Sequence, residues 1–105
     1  MISVALPFGI VADLGPDDVV REQAYLHDSA TESSGKVRRV SLVERERGGR
    51  FVIVSEWGLI GGAPFPRIIE SSADSIAAAR SDFARALRSL ANAGYRPIPD
   101  AEVRP

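Results

Sequence analysis

The 105 residues suffice for one small domain with one modest core, and 45% apolar with 26% charged side chains is the composition of an ordinary globular protein. The absence of cysteine excludes disulfides, zinc fingers and thiol catalysis, and no apolar run approaches the roughly 18 residues of a membrane span. The net charge of −1 does not advertise a nucleic-acid binder, although it is unevenly spread: residues 1–23 sum to −3, residues 24–99 to +3 and the last six to −1. Residues 1–10 lack a basic run and carry Pro7 and Gly9, so no signal peptide is expected and a cytoplasmic location is the default.

Residues 3–12 alternate, with Val4, Leu6, Phe8 and Ile10 on one side, which predicts a strand; Pro7 has no N–H for a ladder and sets it at an edge. Gly15-Pro16-Asp17-Asp18 has the proline and acids of a helix first turn and predicts a short helix to Gln23. Ala24 to His27 reads as a brief strand. His27 is the only histidine, with no cysteine and no carboxylate cluster beside it, so it is given a structural or surface role and no metal is expected. Residues 28–35 are small and polar and form a loop.

Val37 to Val43 and Phe51 to Glu56 read as the two strands of an antiparallel hairpin, joined through the charged tip Glu44-Arg45-Glu46-Arg47-Gly48-Gly49-Arg50. The second strand runs into Glu56-Trp57-Gly58-Leu59-Ile60-Gly61-Gly62, which holds the only tryptophan and three of the nine glycines. A large ring at a strand exit either plugs a core or faces a ligand. After the glycines and prolines of residues 61–66, Arg67 to Ser71 predicts a third strand. Ser71-Ser72-Ala73-Asp74 has capping-box spacing and predicts a helix of about 20 residues, with Ile76, Ala79, Phe83, Leu87 and Leu90 on one face and Gly94 as terminator. Pro97, Pro99 and Pro105 then mark a non-helical, frayed tail.

These elements predict an α+β fold: a small antiparallel β-sheet with one long C-terminal α-helix packed across one face. Along the central strand Val52 and Val54 face one way and Phe51, Ile53 and Trp57 the other, so both faces require cover. The helix can cover one, and residues 3–12 are expected to help cover the second. The expected divisions are 1–23 as an N-terminal strand and short helix, 24–96 as the main domain and 97–105 as a Pro-rich tail.

In this order the pieces resemble a WGR domain, the Trp-Gly-Arg module of poly(ADP-ribose) polymerases, molybdate metabolism regulator proteins and small bacterial proteins. The resemblance rests on the polar loop ending Ser34-Gly35-Lys36, the hairpin into Trp57-Gly58-x-Ile60-Gly61, and Phe83 followed twelve residues later by Tyr95 after Gly94; it covers residues 24–96. The motif arginine is Leu59 here, and the basic residue the family carries seven positions after the helix phenylalanine is Leu90, so two donors are lost.

The resemblance implies a non-catalytic module that binds nucleic acid and neighbouring protein domains, with the polymerase tryptophan packing on a sugar at a DNA strand end. Carried to this chain, Trp57 is the stacking group, Gly58 lets the backbone approach, and Lys36, Arg38 and Arg39 are phosphate-contact candidates, with Arg50 and Arg67 as further basic candidates. Nucleic-acid binding is thus the first expectation. The alternative is a protein–protein interaction module anchored on an apolar patch at Trp57 and Leu59 with an arginine rim. No cofactor, metal or membrane is expected, and the lone His27 with no nucleophile motif argues against an enzyme.

Overall fold

The structure is a computed structural model and describes residues 4–6, 14–28, 36–46, 50–59, 68–98 and 101–103. In chain order these form β1 (Val4–Leu6), β2 (Val19–Asp28), β3 (Lys36–Arg45), β4 (Arg50–Leu59), β5 (Ile68–Ala73), α1 (Ile76–Asn92), β6 (Tyr95–Pro97) and β7 (Ala101–Val103). Five strands make one antiparallel sheet in the order β5-β4-β3-β2-β6, and the 17-residue helix packs against one of its faces. This is the α+β arrangement expected from the sequence. β1 and β7 form a separate parallel pair.

The β3–β4 hairpin is the centre of the sheet. Its register runs from Arg45↔Arg50 to Lys36↔Leu59 without interruption, so residues 46–49 make the connection. The middle of each strand is buried on both sides, which is why Phe51, Val52, Ile53 and Val54 run consecutively instead of alternating with polar residues. On the helix face Leu26, Val40, Leu42, Phe51 and Ile53 pack with Ala79 and Phe83. On the second face Val43, Val52 and Val54 cluster, with Leu14 and Val20 against them. A bulge between Val20 and Glu22 makes the latter arrangement possible. In plain alternation Val20 would share the face of Glu22, Ala24 and Leu26; one extra residue turns it over.

Three sequence expectations are corrected. The short helix after Gly15 does not form: Gly15–Asp18 is a turn closed by the Asp18 N–H on the Gly15 carbonyl (3.2 Å), and β2 begins at Val19. The helix-start residues there are overruled by long-range pairing of β2 with β3, a contact that no local pattern contains. The capping box at Ser71–Asp74 is not the helix start either, because β5 continues pairing with β4 as far as Phe51↔Ala73. The cap is Ser75, whose Oγ accepts the Ala78 N–H at 3.1 Å.

At the other end Gly94, with φ 102°, reverses the chain as expected. The start of the expected tail is not frayed. Tyr95–Pro97 pairs with the end of β2, and the Ile98 N–H donates to the Tyr25 carbonyl at 2.9 Å. Pro97, which has no N–H, is accommodated because β6 is the edge strand. Of the segment 3–12 expected to cover the second face, Val4–Leu6 is described and pairs with Ala101–Val103; the remainder of that expectation lies outside the described residues. Among the described residues no helix is long and apolar enough to cross a membrane.

Candidate functional site

The sheet end at which β4 exits brings Arg38, Trp57 and Tyr95 together. Arg38 and Trp57 are direct cross-strand partners, and Leu26 of β2 opposes Arg38 on its other side. Tyr95 arrives from β6, one strand further, carried there by the Gly94 reversal. The Arg38 guanidinium carbon lies 5.1 Å from the centre of the Trp57 ring and 5.8 Å from that of Tyr95, both within the range of cation–π attraction. Its Nη2 donates to the Ser55 Oγ at 2.8 Å. Two rings and a hydroxyl therefore fix the direction of one half-buried cation, and Trp57 is itself half-buried. The choice between a core plug and a ligand-facing ring resolves to an intermediate: Trp57 has one flank engaged by the protein's own guanidinium.

Arg39 turns to the opposite face. It is 1% exposed, its Nε donates to Glu56 Oε1 at 2.9 Å, and Nη2 lies 2.8 Å from the same oxygen. Glu56 is its cross-strand partner and is 6% exposed. A guanidinium held in this way cannot meet a phosphate at the surface, which corrects its assignment as a phosphate contact. Gly58 is buried opposite Val37. Lys36 is exposed and pairs through its backbone with Leu59, at the same sheet end as Trp57. Arg50 is exposed next to the hairpin connection, at the far end of β4. About nine residues of strand at ~3.3 Å each separate Lys36 from that end, so these cations do not form one patch. Arg67 and the Leu59 side chain lie outside the described residues. His27 is half-buried between Val37 and Arg96 in the ladder, and among the described residues no three potential metal ligands converge.

Among the described residues, α1 borders depressions of different chemistry. On the β2–β6 side a groove of about 340 Å³ is lined by Leu26, Leu87, Ala91 and Pro97, with Arg88 and Arg96 beside it. On the β4 side a smaller pocket of about 130 Å³ is lined by Arg38, Val40, Ser55, Ala86, Ser89 and Leu90. Leu90 thus serves as wall and core on the helix face, as its phase with Phe83 and Leu87 implied.

Sequence reasoning missed Ser55, Glu56 and Tyr95 as members of this constellation. Glu56 carried a signal, whereas Ser55, which sits opposite Val40, did not. Counting back equally from a connection at residues 46–49 sets Arg38 against Trp57 and Arg39 against Glu56. Tyr95 carried none beyond its place after the terminating glycine. This chain matches no protein-family model, no curated protein and no solved structure.

Proposed function

We propose that the chain is a non-catalytic, WGR-like binding module that docks a protein partner through the sheet end bearing Arg38, Trp57 and Tyr95. The observation that carries this reading is the engagement of the two arginines nearest the tryptophan. Arg39 is buried on Glu56 and Arg38 is held over two rings, so the expected row of phosphate contacts is not available around Trp57. A half-buried tryptophan, a tyrosine and an oriented arginine are instead the residue types that dominate protein–protein hot spots. The non-catalytic part of the reading rests on the sequence, which offers one histidine, no cysteine and no nucleophile motif.

One observation favours nucleic acid as a second reading: Lys36 is exposed beside Leu59, two residues from Trp57. Two measurements separate the readings. Trp57 fluorescence is titrated with single-stranded and nicked DNA across a salt series; protein docking predicts no quenching at low salt, whereas quenching that salt abolishes would overturn it in favour of nucleic acid. Affinity capture from a nuclease-treated lysate is then compared for the native chain and Trp57→Ala. A captured protein that the variant loses supports docking at this sheet end, and equal capture refutes it.

A further inference from the structure

We infer that the groove between α1 and the β2–β6 edge receives a short acidic peptide, which seats aliphatic side chains in it and pairs carboxylates with Arg88 and Arg96. The groove is open to solvent and has a volume of about 340 Å³, room for a pair of leucine-sized side chains. Buried Leu26 and half-buried Leu87 are the deepest members of its lining, and exposed Ala91 and Pro97 the outer ones. The two arginines beside it are exposed and come from different elements, Arg88 from α1 and Arg96 from β6. An apolar seat bordered by two cations complements a segment whose apolar residues are flanked by Asp or Glu.

These two charges are not balanced within the described fold. Eight residues before Arg88, Arg80 of the same helix pairs with Glu22 of β2 at 3.1 Å. Among the described residues Arg88 has no such carboxylate and no hydrogen-bond acceptor. Arg96 Nη1 donates to the carbonyls of Ala91 (3.1 Å) and Tyr95 (2.9 Å), which fixes the side chain beside the groove. Part of its charge answers the negative end of α1, but among the described residues no carboxylate neutralises it.

The shape of the surface selects a peptide held by its side chains. Pro97 has no N–H, so β6 is a poor template for an added strand and main-chain pairing contributes little. The apolar surface is recessed, whereas attachment to an anionic membrane needs apolar side chains that project. A nucleic-acid backbone would satisfy the cations but leave the apolar lining wet. Tyr95 lines the groove and also faces Arg38, so this surface adjoins the Trp57 sheet end. The inference needs the groove alone and does not rest on the partner-docking reading of Trp57.

The test uses the full chain, ¹⁵N-labelled, with the backbone signals of Leu87, Ala91 and Arg96 and the Trp57 Nε1–H followed by NMR. The probes are acetyl-Glu-Glu-Leu-Leu-Glu-Glu-amide, the same peptide with serine for leucine, the same peptide with lysine for glutamate, phosphatidylglycerol vesicles and a single-stranded oligonucleotide. Saturable shifts at the groove signals are expected with the acidic leucine peptide, weakened by salt and absent with the serine and lysine peptides. Arg88→Glu, at an exposed helix position, should melt like the native chain and weaken the acidic peptide by about fivefold or more, because an attraction is exchanged for a repulsion. Arg88→Gln should weaken it less. No response to the acidic leucine peptide, or an equal response to the serine or lysine peptide, would overturn the inference. So would a stronger response to vesicles or oligonucleotide, shifts larger at Trp57 than at the groove, or unchanged binding in Arg88→Glu.

Discussion

Arg38 and Arg39 are neighbours on β3, yet each belongs to a different face of the sheet and to a different kind of environment. Arg38 faces the helix side, half-buried, with its charge resting on Trp57 and Tyr95 and one donor on Ser55. Arg39 faces the second side, 1% exposed, with its charge neutralised by Glu56. Two adjacent cations beside an aromatic therefore do not add up to one binding patch. Alternation along a strand sends them to opposite faces, and it is the one resting on π-faces and a hydroxyl that borders a pocket.

The contrast between the two arginines is tested most severely by removing the buried one. Arg39→Met should destabilise the chain by about 3–5 kcal/mol, because Glu56 is left as an uncompensated buried charge. Adding Glu56→Leu should recover most of that loss, since a buried ion pair replaced by packed apolar groups is often neutral. Urea denaturation of the native chain, both single variants and the double variant closes the cycle. A double variant as unstable as the worse single would refute the ion-pair account.

Among the described contacts, Arg38→Met removes the cation–π contacts with Trp57 and Tyr95 and the hydrogen bond to Ser55, a loss of about 1–2 kcal/mol and less than that expected for Arg39. It should also change the Trp57 emission, because the cation over the ring is gone. If Arg38→Met proves as damaging as Arg39→Met in the same denaturation series, the two arginines are not distinguished by face in the way described.

Much of this fold was legible because its signals are periodic. The 3.6-residue stripe of Ile76, Ala79, Phe83 and Leu87 marks α1, and the two-residue alternation through Phe51–Val54 assigns both faces of β4. What was illegible depended on partners distant in the chain. Val19 and Val20 come after residues that start helices elsewhere, and only pairing with β3 makes them a strand. Ser71 and Ser72 have the letters of a cap, but β4 holds them extended. The site failed at an intermediate level. Both cross-strand pairs, Arg38 with Trp57 and Arg39 with Glu56, are consequences of the hairpin register, but treating residues 44–50 as one undivided charged tip left that register open, and a slip of one residue exchanges the faces.

Each face also has a clasp at its margin, where smaller perturbations tell the two sides apart. Ser75→Ala removes the cap of the helix that covers the Arg38 face and should cost about 1 kcal/mol. Ser71→Ala at the sequence-predicted cap should cost clearly less. Thermal melts of the two variants decide which serine starts the helix, and a larger effect from Ser71 would contradict the capping geometry.

The clasp of the second face is Asp18, and its effect is one that pH should switch. Its Oδ2 accepts the Gly15 N–H at 2.8 Å and lies 2.8 Å from Arg45 Nη1, while Oδ1 accepts the Glu46 N–H at 3.1 Å. These bonds tie the turn that carries Leu14 over the Val43–Val52–Val54 cluster to the end of β3. The Gly15 N–H first, then the Glu46 N–H and Arg45, hold the carboxyl below its ordinary value of 3.8, against an opposing push from burial. The folded chain therefore binds this proton less tightly than the unfolded chain. The resulting stabilisation is complete above the ordinary value and is lost as pH falls through it toward the lower folded value. Asp18→Asn should accordingly melt below the native chain at neutral pH, and the gap should close between about pH 5 and the acid limit of folding as the native carboxyl becomes protonated. Arg45→Met provides the control: removing a weaker contributor should shrink the gap at neutral pH without abolishing its pH dependence. A gap that stays constant across the acid range would mean that the shape of the side chain, and not its charge, holds the turn.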